Sequence, residues 1–126
     1  MPKEKQSDRR QAELNKKSLN RANLARQDLG GANLIRGNLR GANLTNANLV
    51  GTNFCEANLA EANLSDANLT DAHLSRAQLT GANFSKADVT GANFRNTDLS
   101  AVKGLTLQQI RTATTDETTK LPRTFK

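Results

Sequence analysis

The chain of 126 residues has no Trp and no Tyr, and only four Phe. A domain built around ring stacking or a large aromatic core is therefore excluded. It has one Cys, Cys55, so no intramolecular disulfide can form and the redox compartment is left open. There is one His, His73, and no second or third ligand stands at metal-binding spacing from it or from Cys55. No apolar run approaches the roughly 18 residues of a membrane span. The opening Met1 to Arg10 lacks the apolar stretch of a secretory signal. A cytoplasmic protein without a membrane anchor is expected.

What the chain does have is a period of five. A large apolar residue recurs without insertion from Leu24 to Leu99, sixteen times in succession. Among these centres are Leu24, Leu34, Leu44, Phe54, Leu64, Leu74, Phe84 and Phe94, the expected structural core. On an α-helix a step of five turns about 140°, which scatters the side chains around the cylinder. On a flat strand an odd step sends successive centres to opposite faces. Neither element can bury them all.

A second regularity resolves the conflict. Two residues before most centres stands Ala, as at Ala32, Ala42, Ala57 and Ala62, with Asn or Asp between. A spacing of two places the small residue and the centre on one side of a short extended segment, and the polar residue on the other. The two residues after the centre are mostly polar or Gly, which suit a turn. Each pentad is three extended residues and a corner. Corners that bend one way close the path into a coil, and coils stack into a solenoid with a Leu, Phe and Ala interior.

The units Ala32-Asn33-Leu34, Ala57-Asn58-Leu59, Ala62-Asn63-Leu64 and Ala67-Asn68-Leu69 fit the consensus A-(D/N)-L-x-x and resemble the pentapeptide repeat family. The resemblance implies an all-β fold, a right-handed quadrilateral β-helix with four pentads per coil. The end of the chain, G-L-T-x-x-Q followed by T-K-L-P, resembles that of many bacterial, notably cyanobacterial, members. The resemblance is specific for fold and says little about function.

Four segments are expected. Residues 1–20 form a charged N-terminal segment, partly disordered, in which Lys17 occupies a register position too costly for an inward lysine. Residues 21–101 form the β-helix of about four coils. Residues 102–114 hold a short C-terminal capping helix, started by the capping box Thr106-Leu107-Gln108-Gln109, with Leu105, Leu107 and Ile110 lying across the open end. Residues 115–126 are a tail that Leu121 pins back.

Residues twenty apart should stack. Identical Asn side chains are then expected to form ladders. Corners with Gly or Asn at the last position suit positive φ, and those with Glu56, Glu61, Arg76 or Lys86 are expected to use another turn. Glu56, Glu61, Asp66 and Asp71 make an acidic belt. Glu56 is placed between Arg36 and Arg76, and Asp66 between Asn46 and Lys86, for ion pairing between coils.

Net charge is +6, distributed as +6 over residues 1–50, −3 over 51–101 and +3 over 102–126. Lys16, Arg36, Arg76 and Arg95 gather at one corner, with Arg21 and Arg40 at the next. These six are the candidate partner-binding residues. A solid tube with no Tyr, no phosphate-binding Gly loop and no paired carboxylates facing a cleft argues against an enzyme, and no cofactor is expected. The expected function is a non-catalytic scaffold for protein-protein interaction, as a monomer or weak homodimer.

Two alternatives belong to other classes. Some members of the resembled family mimic duplex DNA and bind topoisomerases, protecting them from quinolones, but that goes with a long acidic rod. The basic N-terminal half could instead bind nucleic acid or another anionic surface weakly, without the aromatic platforms that bases stack on.

Overall fold

The computed structural model describes residues 7–123. Parallel bridges join residues twenty apart on four sides: Asn23 to Asn43 to Asn63 to Asn83 on the first, Asp28 to Asn48 to Asn68 to Asp88 on the second, Asn33 to Asn53 to His73 to Asn93 on the third, and Asn38 to Asn58 to Gln78 on the fourth. Twenty residues per coil is four pentads, one to a side. Among the described residues the pairing is by single bridges, because each extended segment is too short to form a longer strand.

One pentad accounts for the whole pattern. In Ala62-Asn63-Leu64-Ser65-Asp66, three N–H groups bond to neighbouring coils: Asn63 donates to the Ala42 carbonyl (2.9 Å), Leu64 to Asn83 (2.8 Å) and Asp66 to Ser85 (2.9 Å). Ala62 closes the turn onto the Leu59 carbonyl (3.0 Å). The fifth, that of Ser65, donates to Oδ1 of Asn63 (3.0 Å). All five donors have partners within the protein, which is what a stacked backbone requires.

The Asn side chains thus do something other than the expected amide ladder. From Asn33 through Asn93, most bend along the chain to accept the N–H two residues on, as do Asp28, Asp88 and Asp98. This is the Asx-turn interaction. A side-chain bond between coils is made by Asn48 Nδ2 to Asp28 Oδ1 (2.9 Å).

The turns also depart from expectation. Glu56, Glu61, Arg76 and Lys86 have φ of 60°, 62°, 62° and 59°, the same left-handed conformation as Asn46 and Gly51. One turn serves every corner whatever its side chain. For a residue with a Cβ this costs about 1–2 kcal/mol, and the register imposed by the coils above and below overrides it.

The interior is lined by buried apolar side chains. Leu34, Leu44, Phe54, Leu64, Leu74, Phe84 and Phe94 are fully buried and Leu24 nearly so. The rings of Phe84 and Phe94 meet edge to face, 6.0 Å apart. Thr52 and Thr97 replace Ala at inward positions and are buried too. Their hydroxyls donate to the carbonyls of Leu29 (2.6 Å) and Leu74 (3.0 Å), which satisfies each buried hydroxyl.

Helices close both ends. Within the segment expected to be loose, α1 (Asp8–Leu14) is capped by Ser7 and followed by a 3₁₀ turn at Lys16–Ser18. Ala12 and Leu19 cover the first coil. Lys17 does not point inward; its Nζ donates to the Arg36 carbonyl (3.1 Å). Residues 1–6, which carry the rest of that expectation, lie outside the described residues.

At the other end α2 (Leu107–Thr112) carries both halves of the Thr106/Gln109 capping box. Gln109 Nε2 also donates to the Phe84 and Ala87 carbonyls, each at 2.9 Å. Leu105 and Ile110 are buried as expected, but Leu107 is 42% exposed and does not cover the tube. It lies about 200° around the helix from Gln109, and Gln109 is the residue turned to the coil. The tail continues the solenoid: Lys103, Thr114 and Lys120 bridge to Asn83, Asn93 and Asp98, so α2 replaces one side of a partial fifth coil. Pro122 is buried there, whereas Leu121 is 41% exposed and is not the anchor.

Lys86→Gly should raise stability by up to about 1 kcal/mol by relieving the left-handed strain. Gly104→Ala should lower it, since Gly104 has φ 73° and an added Cβ would stand 2.8 Å from the Ser85 nitrogen. Urea denaturation reads both, and unmoved midpoints would contradict the corner geometry.

Candidate interaction surface

With the interior occupied, chemistry lies on the corners and at the ends. The twenty-residue register sets Arg36, Glu56, Arg76 and Asn96 in one column, with Arg95 beside it above Cys55. Arg40 stands at the next corner, where Arg21 lays its aliphatic stem beneath Gly41. Five of the six candidate cations thus fall on two adjacent corners, interrupted by carboxylates, whereas Lys16 lies in the 3₁₀ turn beneath, its carbonyl bonded to the Asn38 N–H.

Three of the six are ion-paired. Arg36 Nε meets Glu56 Oε1 at 3.1 Å, Arg40 Nη2 meets Glu61 Oε1 at 2.9 Å, and Arg95 Nε lies 3.6 Å from Asp116 Oδ2. All are solvent-exposed, where water and salt screen such pairs and leave them little net stabilisation. Among the described residues no carboxylate lies within 4.0 Å of Lys16, Arg21 or Arg76. The Arg36 to Glu56 pair matches the expected placement. Glu56 makes no such pair with Arg76, nor Asp66 with Lys86. A pair between Arg40 and Glu61 stands instead, because Arg40 occupies the residue before the corner and reaches up to it.

The sequence pattern did not point to two further residues. Lys120 and Thr118 join Arg76, Asn96, Thr97 and Asp98 around a shallow recess of about 340 Å³. Here the fourth side skips the step from Gln78 to Asp98, and Asp98 pairs onward to Lys120 instead. The insertions that carry the chain from Asp98 to Lys120 break the period, which hid Lys120 from a five-residue count. A second recess of about 230 Å³ lies between α2 and Asp88, Val89 and Thr90. Cys55 is free and half-buried, and among the described residues no group of His, Cys, Asp or Glu could hold a metal. No described helix is long and apolar enough to cross a membrane.

Several carboxyls are held below their ordinary values. Asp88 and Asp98 each accept a hydroxyl and a backbone N–H, from Thr90 and from Ser100 respectively. Asp116 accepts the same pair from Thr118 and faces Arg95. Glu13 is lowered chiefly by the Asn33 backbone N–H and then by Arg9.

Stacked pentad coils with polar sides, a filled interior and ion-paired corners define a repeat solenoid. The family model for pentapeptide repeats matches in eight copies over residues 18–59, 37–76 and 62–100, and the chain belongs to the pentapeptide repeat family. Among solved structures it is similar to the pentapeptide repeat protein Rfr23 from the cyanobacterium Cyanothece 51142, with a TM-score of 0.67 and 33% identity over 75% of this chain and 64% of that one. It is also similar to QnrB1, a plasmid-mediated fluoroquinolone resistance protein, at a TM-score of 0.51 and 22% identity over 81% of this chain and 61% of that one, a likeness of fold alone. A pentapeptide repeat protein from Nostoc Pcc 7120, alr5209, is 29% identical over 92% of this chain and 87% of that one, with a TM-score of 0.45. The chain spans less than two thirds of the length of the first two. No curated protein matches it.

Because the folded values of Asp88, Asp98 and Glu13 lie below the unfolded ones, their contribution is present above about pH 4 and is lost as pH falls through the folded values. The melting temperature should therefore fall once the pH drops below about 4. Asp88→Asn with Asp98→Asn, which keeps the accepting oxygen, should flatten that fall. An equally steep fall in the double variant would show that these carboxyls do not carry it.

Proposed function

We propose that this protein is a non-catalytic scaffold, a right-handed solenoid that docks another protein against its basic corners. The observation that carries the reading is the contrast between an interior of buried apolar side chains and a surface of regularly spaced charged ones. With no room inside for a substrate, selectivity has to come from the pattern of charge along the corners. Arg76, with Lys120 beside the same recess, and Lys16 with Arg21 nearer the N-terminal end, supply positive charge with no carboxylate of the described residues within ion-pair distance. Arg36, Arg40 and Arg95 join them if a partner's carboxylates replace Glu56, Glu61 and Asp116. Family membership supports a surface-based role, since pentapeptide repeat proteins interact with other proteins.

The topoisomerase-binding reading takes second place. A duplex mimic needs acidic charge along its length, whereas Glu56, Glu61, Asp66 and Asp71 circle one coil and two of them are neutralised by arginine. The net charge of +6 has the wrong sign for it. Weak binding to nucleic acid through the basic N-terminal half would be salt-sensitive and without sequence preference.

Affinity capture with the wild type should recover a partner that the triple variant Arg36→Glu, Arg40→Glu, Arg76→Glu loses, while both proteins melt alike. A partner retained equally by the variant would remove the basic corners from the interface. In a DNA gyrase supercoiling assay the protein should give no inhibition, and inhibition would restore the mimicry reading.

A further inference from the structure

Among the described residues the first coil has no pentad coil beneath it, yet three of its downward N–H groups, those of Asp28, Asn33 and Asn38, are not left open. In the coils above, the N–H of the outward residue donates to a carbonyl one coil below, as Asn48 does to Gln27 (2.9 Å) and Asn53 to Ala32 (2.9 Å). The equivalent donors of the first coil find side chains of α1. Asp28 N–H donates to Asp8 Oδ2 at 3.0 Å, and Asn33 N–H to Glu13 Oε2 at 2.8 Å. Asn38 donates to the Lys16 carbonyl at 2.7 Å. Each carboxylate stands twenty residues, one coil, before its donor.

The two carboxylates thus stand in for the carbonyls of a missing coil. They make the rim a site that receives negative charge, since an N–H to carboxylate bond is about twice as strong as its neutral counterpart. Its charged surroundings agree. Arg9 lies 3.3 Å from Glu13, Arg10 is close on the same helix, and the first fifty residues carry a net +6; the one opposing group on the facing coil is the Asp28 carboxylate.

What holds α1 in place is slight. It has seven residues, well short of the roughly 12–15 at which a helix becomes even marginal alone. Its one buried residue is Ala12, and Leu14 points to solvent.

We propose that the N-terminal rim of the solenoid is a docking site for an acidic protein segment, and that α1 is its internal stand-in, holding the Asp28 and Asn33 donors through Asp8 and Glu13 until a partner's carboxylates displace it. This rests on the scaffold reading above and gives that scaffold an acidic partner and a closed state. The shared chemistry is a pair of carboxylates bonded to backbone N–H groups at the edge of a coil, first from within the chain and then from outside it.

The test is a titration of the full-length ¹⁵N-labelled chain with decaglutamate at low salt, comparing the wild type with Asp8→Ala/Glu13→Ala. The variant should show saturable shifts at the Asp28, Asn33 and Asn38 amides, with an apparent affinity about tenfold or more above the wild type, since the site no longer competes with its own stand-in. Glu13→Gln, which keeps an accepting oxygen and the fold, should fall between the two and serves where the double variant unfolds. Equal affinity in all proteins, or no shift at those three amides, would overturn the proposal. Shifts confined to Arg36, Arg76 and Arg95 would also overturn it while leaving the basic-corner scaffold standing.

Discussion

The structure depends on one closure: the side-chain oxygen of the outward residue accepts the N–H of the corner residue two positions on. Without that bond each pentad has one donor that no neighbouring coil can reach, because the chain is turning there. With it, every N–H of a pentad such as Ala62 to Asp66 has a partner. This explains a choice that hydrophobic patterning cannot. An outward position on a strand tolerates most polar residues, but here Asn and Asp dominate, because they carry an oxygen at the right reach from the backbone. Where His73 and Gln78 stand instead, no such bond to Ser75 or Thr80 forms.

The same logic governs the ends. A stacked coil presents both donors and acceptors on each rim, as the Asn63 N–H bonds downward and the Leu64 N–H upward, and those left unmet invite edge pairing. At the N-terminal rim the Asp28 and Asn33 donors are met by carboxylates, and the Asn38 donor by the Lys16 carbonyl. The C-terminal rim is met by the Gln109 amide, which donates to Phe84 and Ala87. The two helices are short and contribute little burial. Their value lies in supplying side chains of the correct polarity at the right register.

Much of this was legible in the sequence. The period of five located the core, the Ala before each centre located the inward positions, and Thr106 to Gln109 announced the second helix. The features that were not legible share a cause: they depend on position in the stack. Glu56 and Lys86 adopt positive φ because coils above and below leave them no choice, which side-chain preference alone does not reveal. Leu107 reads as a cap residue until Gln109 is seen to take the inward face. Asp8 and Glu13 do stand in register with Asp28 and Asn33, so their spacing was a visible signal. It was masked by a charged segment that otherwise has little to bury. At the candidate surface, the columns of Arg36 and Arg76 followed from the register, whereas the pairing of Arg95 with Asp116 needed the path of the tail.

The functional picture follows from the same constraint. A backbone whose bonds are internally closed is stiff, and its side chains are free to vary at the corners without loss of fold, so recognition can be written there and at the rims. The most direct measurement of the underlying claim is the through-hydrogen-bond scalar coupling between amide nitrogens and carbonyl carbons in the labelled protein. Coupling from the Leu64 nitrogen to the Asn83 carbonyl, and from Asn63 to Ala42, is the expected result. Coupling of these amides to carbonyls four residues earlier, as in a helix, would contradict the stacked-coil account.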